Sequence, residues 1–134
     1  MNLVSATGRV RDTTTAATTA AAVIFSANCT ATEQVGDLVY VLSSGEVRQA
    51  DASAIATARA VGFVKTKPTA TTCEVQCGGA MADLSGLTPG ATYFLSETPG
   101  AVVATPPTSG VVVPVGEALS ATSLIIRLDT ETSL

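Results

Sequence analysis

The chain has 134 residues, of which 46% are hydrophobic, 4% aromatic and 13% charged, with a net charge of −4 and no histidine. This length predicts one domain that buries about two thirds of its unfolded surface. The acidic balance and the scattered cations exclude a continuous basic track for nucleic-acid phosphates. Because histidine is absent, Ser-His and Cys-His nucleophile pairs are excluded too.

The N-terminal residues 1–20 are predicted to be an extended arm. Residues 12–19 read Asp-Thr-Thr-Thr-Ala-Ala-Thr-Thr, which has neither a helical nor a strand period, so we expect order only through contact with a partner. Residues 1–12 lack the apolar core of a signal peptide. The apolar run 20–25 is shorter than the roughly 20 residues that cross a bilayer. We therefore expect a soluble, unexported chain without a membrane partner.

Residues 21–134 are predicted to form a single all-β domain, an antiparallel sandwich or barrel with at most one short helix. Short apolar runs separated by glycine and proline turns are typical of that class. The alanine-rich residues 51–58 are the helix candidate, capped by Asp51 or Ser53. The tail 129–134 is polar and expected to be exposed. The predicted strands are 21–27, 38–42, 46–50, 60–65, 72–78, 92–95, 102–105, 111–115 and 123–128.

Two segments of the chain resemble each other, which predicts two pseudo-repeated β-modules at about 35–78 and 88–128. Tyr40-Val41-Leu42-Ser43 matches Tyr93-Phe94-Leu95-Ser96, and each tetrapeptide lies between glycine turns. Further along, Val61-Gly62 matches Val115-Gly116. A repeated β-module with no catalytic group in register indicates a protein that forms surfaces rather than one that performs chemistry.

The paired cations and the three cysteines are each expected to have a structural role rather than a chemical one. The pairs Arg9/Arg11 and Lys65/Lys67 are expected to be solvated edge charges that discourage pairing between sheets. Cys73 and Cys77, four residues apart in one extended strand, are too far from each other for a disulfide. We expect Cys29, Cys73 and Cys77 to be free thiols that pack as small hydrophobic groups, as in a protein that matures in a reducing cytosol.

No catalytic, cofactor-binding or metal-binding residue is predicted, and the chain is not expected to be an enzyme. Asp37, Asp51 and Asp83 lie at turns, where carboxylates usually bond to the backbone. A zinc site would need four ligands, and the chain has no histidine to offer. A sugar cleft would need aromatic platforms, whereas most of the five tyrosines and phenylalanines fall inside strand patterns. No cofactor is expected.

Three segments of the second half carry a resemblance to a known family. They are residues 87–100, which read Leu-Thr-Pro-Gly-Ala-Thr-Tyr-Phe-Leu-Ser-Glu-Thr-Pro-Gly, then Pro106-Pro107, and then residues 115–122. Together these segments resemble a β-module of tailed-bacteriophage virion proteins. That module is found in tail fibres, head fibres and small capsid decoration (cement) proteins. The resemblance covers about residues 85–128, and residues 35–78 are similar to it more loosely. It carries no catalytic residues.

The resemblance implies a structural virion protein on the capsid surface, assembled in the host cytoplasm. We expect it to decorate the outer face of the head and to bridge subunits of the major capsid protein, as a homo-oligomer for which the family analogy favours a trimer. One alternative is a small tail or fibre component. Another is a carbohydrate-binding surface module, which the shortage of aromatic residues disfavours.

Overall fold

The computed structural model describes residues 22–128 together with the backbone of Thr132–Ser133. The predicted N-terminal arm, with Arg9 and Arg11, lies outside the described residues.

The described residues form twelve β-strands and one 3₁₀ turn, Ile55–Thr57. The first five strands are β1 (Val23–Asn28), β2 (Leu38–Val41), β3 (Val47–Gln49), β4 (Gly62–Thr69) and β5 (Thr72–Gly78). The remaining strands are β6 (Ala80–Met81), β7 (Thr92–Leu95), β8 (Val102–Val103), β9 (Val111–Val112), β10 (Pro114–Ala118), β11 (Leu124–Ile126) and β12 (Thr132–Ser133).

The strands assemble into two five-stranded sheets and one two-stranded ribbon. The first sheet has the order β1-β5-β4-β2-β3, the second has the order β6-β11-β10-β7-β8, and β12 pairs with β9. Every pairing between the described strands is antiparallel. The prediction of an all-β antiparallel sandwich is confirmed.

The two large sheets share one topology. In each sheet the first strand along the chain lies at one edge beside the fifth, followed by the fourth, the second and the third. The chain leaves the first sheet at Gly78 and enters the second at Ala80. This common order agrees with the predicted pseudo-repeat, although duplication itself stays a prediction.

The register of that repeat differs by one residue from the sequence match. Val39 pairs with Gly62 in the first sheet, and Tyr93 pairs with Gly116 in the second. Val39 is therefore the counterpart of Tyr93, whereas the sequence match aligned Tyr40 with Tyr93. Each of these glycines also lies close to a backbone carbonyl of the strand on its other side, Gln76 of β5 for Gly62 and Ile125 of β11 for Gly116.

One hydrophobic core lies between the two sheets and draws on both. Leu38 and Phe63 of the first sheet are buried in the same cluster as Met81, Leu95 and Leu124 of the second. Backbone hydrogen bonds also join the halves, since Leu38 donates to the carbonyl of Gly100 at 2.9 Å. The described residues thus form one body rather than two stacked modules.

A smaller core covers the opposite face of the first sheet. It contains Cys29, Val39, Val47, Val64, Cys73 and Val75, with Phe25 packed against it. The buried Gln76 secures the crossing between the sheets, because its amide nitrogen donates to the carbonyls of Gly78 and Ala80 at 3.0 and 2.9 Å. Both faces of the first sheet are therefore packed.

Three local predictions are corrected. The helix candidate contains only the 3₁₀ turn, whose N-cap is Ala54 without a side-chain hydrogen bond. Asp51 instead accepts from the backbone N–H of Ser53 and the Thr57 hydroxyl, each at 3.0 Å, because one turn offers few free amides to cap. Strand β6 falls where only glycine turns were expected, and Thr132–Ser133 of the polar tail form a strand with β9 where no strand was predicted.

Candidate interaction surface

Among the described residues, β1 is the longest of the strands that lie at the outside of the two large sheets, and its outer edge is unpaired. β1 has six residues and pairs there only with β5. The other outermost strands of the two large sheets are shorter, with three residues in β3 and two each in β6 and β8. Because an unpaired edge presents free N–H and C=O groups, its length sets how many hydrogen bonds another strand can make.

The register of β1 shows which backbone groups face outward. The N–H of Cys29 donates to the Thr71 carbonyl at 2.9 Å, and Ala27 lies opposite Cys73. In an antiparallel pair the hydrogen-bonded positions alternate, so the backbone groups of Phe25 and Ala27 point towards β5. The N–H and C=O groups of Ile24, Ser26 and Asn28 therefore point away from the sheet.

The β1 edge lacks the features that usually block strand addition. Its sequence, Val-Ile-Phe-Ser-Ala-Asn, has no charge and no proline. Val23 and Ile24, the first two residues of the strand, are 56% and 44% exposed on opposite faces of the sheet. The sequence predicted this strand, but long-range pairing alone decides that it lies at an edge.

The other exposed large hydrophobic residues are scattered. They are Val35, Val41, Ile55 and Leu119, each in a different loop or strand. Single exposed apolar side chains are normal on protein surfaces and indicate no site. Val23 and Ile24, which are consecutive residues of the strand with the unpaired outer edge, are therefore the most distinctive apolar feature of the described surface.

A buried carboxylate fixes the loop that follows β1. Glu33 is 2% exposed, and its carboxylate accepts from the N–H and hydroxyl of Thr30 at 2.8 and 2.7 Å and from the Gln49 N–H at 3.3 Å. Burial raises the pKa of Glu33, but the hydrogen bonds from Thr30 and Gln49 lower it further, so the net pKa lies below the ordinary value. The loop is thereby tied to β3.

The two lysines of β4 are not the free, solvated charges that the sequence predicted, because both have partners within the chain. β4 pairs with β2 only at Gly62 and Phe63, so both lysines lie on the part of β4 whose strand neighbour is β5 alone. Lys67 donates to the backbone carbonyls of Thr30 and Glu33 at 2.7 and 2.6 Å, which closes the same loop from the other side. Lys65 forms an ion pair with Asp83 at 3.2 Å, between the two halves of the chain. Both charges have structural partners that sequence spacing could not reveal.

The three cysteines are free thiols. Cys29 and Cys73 are buried in the smaller core, whereas Cys77 is half-buried and donates to the Val23 carbonyl at 3.5 Å. Burial and then the hydrogen bond with Cys29 raise the pKa of Cys73 to about 12. At neutral pH this thiol is protonated and is a poor nucleophile.

The turn carboxylates have the backbone role that their positions predicted, with one exception. Asp37 accepts from the Gln34 N–H at 2.9 Å, and Asp51 accepts from the backbone N–H of Ser53 at 3.0 Å. Asp83 has a positive φ of 68° and binds Lys65 instead. Asp37 and Asp83 line a shallow groove between the halves. Within residues 22–128 no three cysteine or carboxylate side chains come together as a metal site would require.

Comparison of the chain with protein-family models, with curated proteins and with solved structures finds no match. Among the described residues, no helix has the length and apolarity to span a membrane.

Proposed function

We propose that this protein decorates and stabilises the outer surface of a tailed-phage capsid by bridging subunits of the major capsid protein. The proposal starts from the resemblance of residues 85–128 to the phage virion β-module. The structural observation that carries it is the uncharged, unpaired edge of β1 on a tightly packed body, because such an edge suits docking to an extended segment of another chain.

The partners of the charged side chains support a structural role. Glu33, Lys67 and Lys65 all bond within the chain, so these charges hold loops in place. The half-buried Arg48 likewise pairs with Glu46 at 2.8 Å. A protein with few charges and rigid loops can lie flat between neighbouring subunits with a small desolvation cost.

The mechanism is mechanical. Each copy buries a modest area across a joint between capsid subunits, and the symmetry of the shell repeats that contact many times. The two packed hydrophobic cores make the β-domain resist deformation when internal pressure pulls the neighbouring capsid subunits apart. The bridged shell therefore resists internal pressure better than the bare shell.

The first test is rebinding to heads from which the protein has been stripped. We expect saturable binding, hundreds of copies per head, and heads that withstand higher temperature or osmotic shock once decorated. A few copies per virion, located at the tail, would instead support the alternative of a tail or fibre component. No binding to heads or tails would contradict both virion roles.

The second experiment tests the predicted arm. Deletion of residues 1–19 should abolish binding to heads and leave the β-body folded, because both described cores lie within residues 25–128. Circular dichroism and thermal unfolding of the truncated protein provide the folding control. Full occupancy of heads by a folded truncated protein would rule out a role for the arm in capsid binding.

A further inference from the structure

Equivalent faces of the two large sheets have different neighbours. Val39 of β2 and Tyr93 of β7 are counterparts, because they pair with Gly62 and Gly116. Tyr93 packs in the core between the sheets, whereas Val39 packs in the smaller core on the far side of the first sheet. Successive residues of a strand point to opposite faces. The face that the second sheet turns outward is therefore the counterpart of the face through which the first sheet packs on the second.

Three pairs of equivalent residues show this difference in burial. In the first sheet, all three residues belong to the core between the sheets or pack against it. In the second sheet, one of their counterparts is exposed and the other two are half-buried. The pairs, first sheet before second, are Leu38 and Thr92, Tyr40 and Phe94, and Phe63 and Glu117.

An apolar row crosses the outer face of the second sheet. Phe94 pairs with Val103 of β8 on one side and with Pro114 of β10 on the other, so the three side chains share that face. All three are half-buried and belong to neither core. Of the five aromatic residues, all of which the structure describes, Phe94 alone packs in neither core. Because aromatic side chains are enriched in the centres of protein interfaces, this row is suited to burial against another surface.

The same face carries one acid and one base. Glu117 of β10 and Arg127, which directly follows β11, line one shallow pocket of about 170 Å³. Neither side chain has a hydrogen bond or an ion pair with another described residue. A face with one charge of each sign is complementary to itself, because a two-fold axis can bring each Glu117 to the Arg127 of the partner subunit.

We propose that the outer face of the second sheet docks onto the same face of a second copy of this chain. The apolar row around Phe94 forms the buried part of the contact, and Glu117 and Arg127 pair across it. A head-to-tail stack would instead place this face on the far side of the first sheet, where the side chains are already buried in the smaller core. The open face is therefore left to pair with its own equivalent.

The composition of the face fits a contact between copies that each fold alone. The first sheet has Leu38 and Phe63 where the second sheet has Thr92 and Glu117. An apolar centre with charged groups beside it is typical of such contacts, whereas a core within one chain is apolar throughout. The contact uses the second sheet only. It goes beyond the proposed function and does not depend on the edge of β1.

Exchange of the two charges tests the contact. Glu117→Arg and Arg127→Glu each place like charges against one another at both symmetric positions. Each variant alone should therefore have a dissociation constant about a hundredfold or more above that of the wild type. An equimolar mixture of the two variants should associate again, because each then offers the other an opposite charge at both positions. Glu97→Arg changes the net charge equally at an exposed position outside the face and should stay associated.

Phe94→Thr tests the apolar row. It should raise the dissociation constant by about tenfold or more, because the aromatic ring is lost twice in each dimer. Val41→Thr is the control, since it removes an apolar side chain that is 44% exposed on β2 and should leave association unchanged. Circular dichroism of both variants should match that of the wild type. Loss of the fold in Phe94→Thr would contradict the position of this side chain outside the cores.

Sedimentation velocity of the full-length proteins measures every sample. A wild type that is monomeric at about 100 µM would overturn the proposal. An assembly with an odd number of copies would overturn it too, because a face that docks onto an identical face joins copies in pairs. Single charge variants that dissociate and fail to associate when mixed would assign the two charges to a different partner. Association unchanged in all the face variants would place the contact elsewhere.

Binding to stripped heads separates this inference from the proposed function. A wild type that decorates heads but never pairs in solution would refute the contact between copies and leave the capsid role in place. A dimer that responds to the charge exchange as expected but binds no heads would support the contact and refute the capsid role.

Discussion

Glu33 shows how a single buried carboxylate can hold a loop against a sheet. Its oxygens accept hydrogen bonds from Thr30 and Gln49, and Lys67 binds the carbonyls of Thr30 and Glu33 itself. A buried polar group stabilises a fold only when such partners are present. The loop after β1 therefore depends on residues from three separate parts of the chain.

The lowered pKa of Glu33 predicts how stability changes with pH. In the unfolded chain the carboxyl titrates near its ordinary value of 4.5, and in the folded chain it titrates lower. Between the two values the unfolded state binds more protons, so the contribution is complete above the ordinary value and is lost as pH falls through the folded value. Glu33→Gln should remove this contribution and lower the free energy of unfolding at pH 7 by about 1–3 kcal/mol.

Urea unfolding at several pH values between 2.5 and 7, chosen to bracket these pKa values, measures the effect. The difference between wild type and Glu33→Gln should shrink towards acidic pH. Glu97→Gln is the control, because Glu97 is exposed and its substitution should leave both the stability and the pH profile close to those of the wild type. A constant difference at all pH values would contradict the assigned role of the carboxylate.

At the scale of secondary-structure elements, one glycine in each sheet lets two neighbouring strands approach closely. The two glycines, Gly62 and Gly116, occupy equivalent positions in the two sheets. A Cβ added at Gly62 would lie 2.3 Å from the Gln76 carbonyl oxygen, and one at Gly116 would lie 1.9 Å from that of Ile125. In each case the obstacle is backbone of the neighbouring strand, β5 or β11. The strands can approach this closely only because glycine has no side chain.

Gly62→Ala and Gly116→Ala should each lower the free energy of unfolding by about 1–3 kcal/mol or more, since backbone must shift to admit the methyl group. Gly78→Ala is the matched control. Gly78 also lies in a strand, but its added Cβ would meet only Val23 side-chain atoms, the nearest at 3.4 Å. Chemical denaturation of the three variants gives the comparison. Equal stability of all three would show that the glycine positions do not set the strand spacing.

A hydrogen bond ties one connection of the second sheet to its strand. The buried Tyr93 accepts the Thr88 N–H at 2.9 Å with its hydroxyl oxygen, which fixes the turn before β7. The same side chain belongs to the main core. One residue therefore serves both the turn and the packing of the sheet, a combination that buried tyrosines make possible.

At the scale of the whole molecule, the shared core predicts that both sheets unfold together. Leu95→Ala removes a fully buried side chain of the second sheet from a cluster that also holds Leu38 and Phe63 of the first. The substitution should cost about 2–5 kcal/mol. Amide hydrogen exchange should show the same loss of protection in β4 and β5 as in β10 and β11.

Leu119→Ala is the control for this experiment, because Leu119 is 54% exposed and lies outside both cores. It should change the protection of either sheet little. Loss of protection confined to the second sheet in Leu95→Ala would show two independently folding modules instead of one cooperative body.

Local chemistry accounts for most of the elements. β-branched and aromatic runs between glycine and proline turns predicted strands at or near β1 to β5 and β7 to β11, although the single strand predicted at 111–115 is divided between β9 and β10. The two-residue β6 escaped prediction because a short apolar step between glycines has no period. The candidate surface was only half predictable, since the apolar strand could be recognised but not its place at a sheet edge.

The sequence by itself determined the all-β class and the turn positions, because strand and turn propensities are local properties of the backbone and its side chains. The tertiary structure decided the common strand order, the close approach of strands at Gly62 and Gly116, and the partners of Lys65 and Lys67. It also buried Glu33 and left β1 at an edge. These features depend on contacts between residues far apart in the chain, for which no local pattern carries a signal.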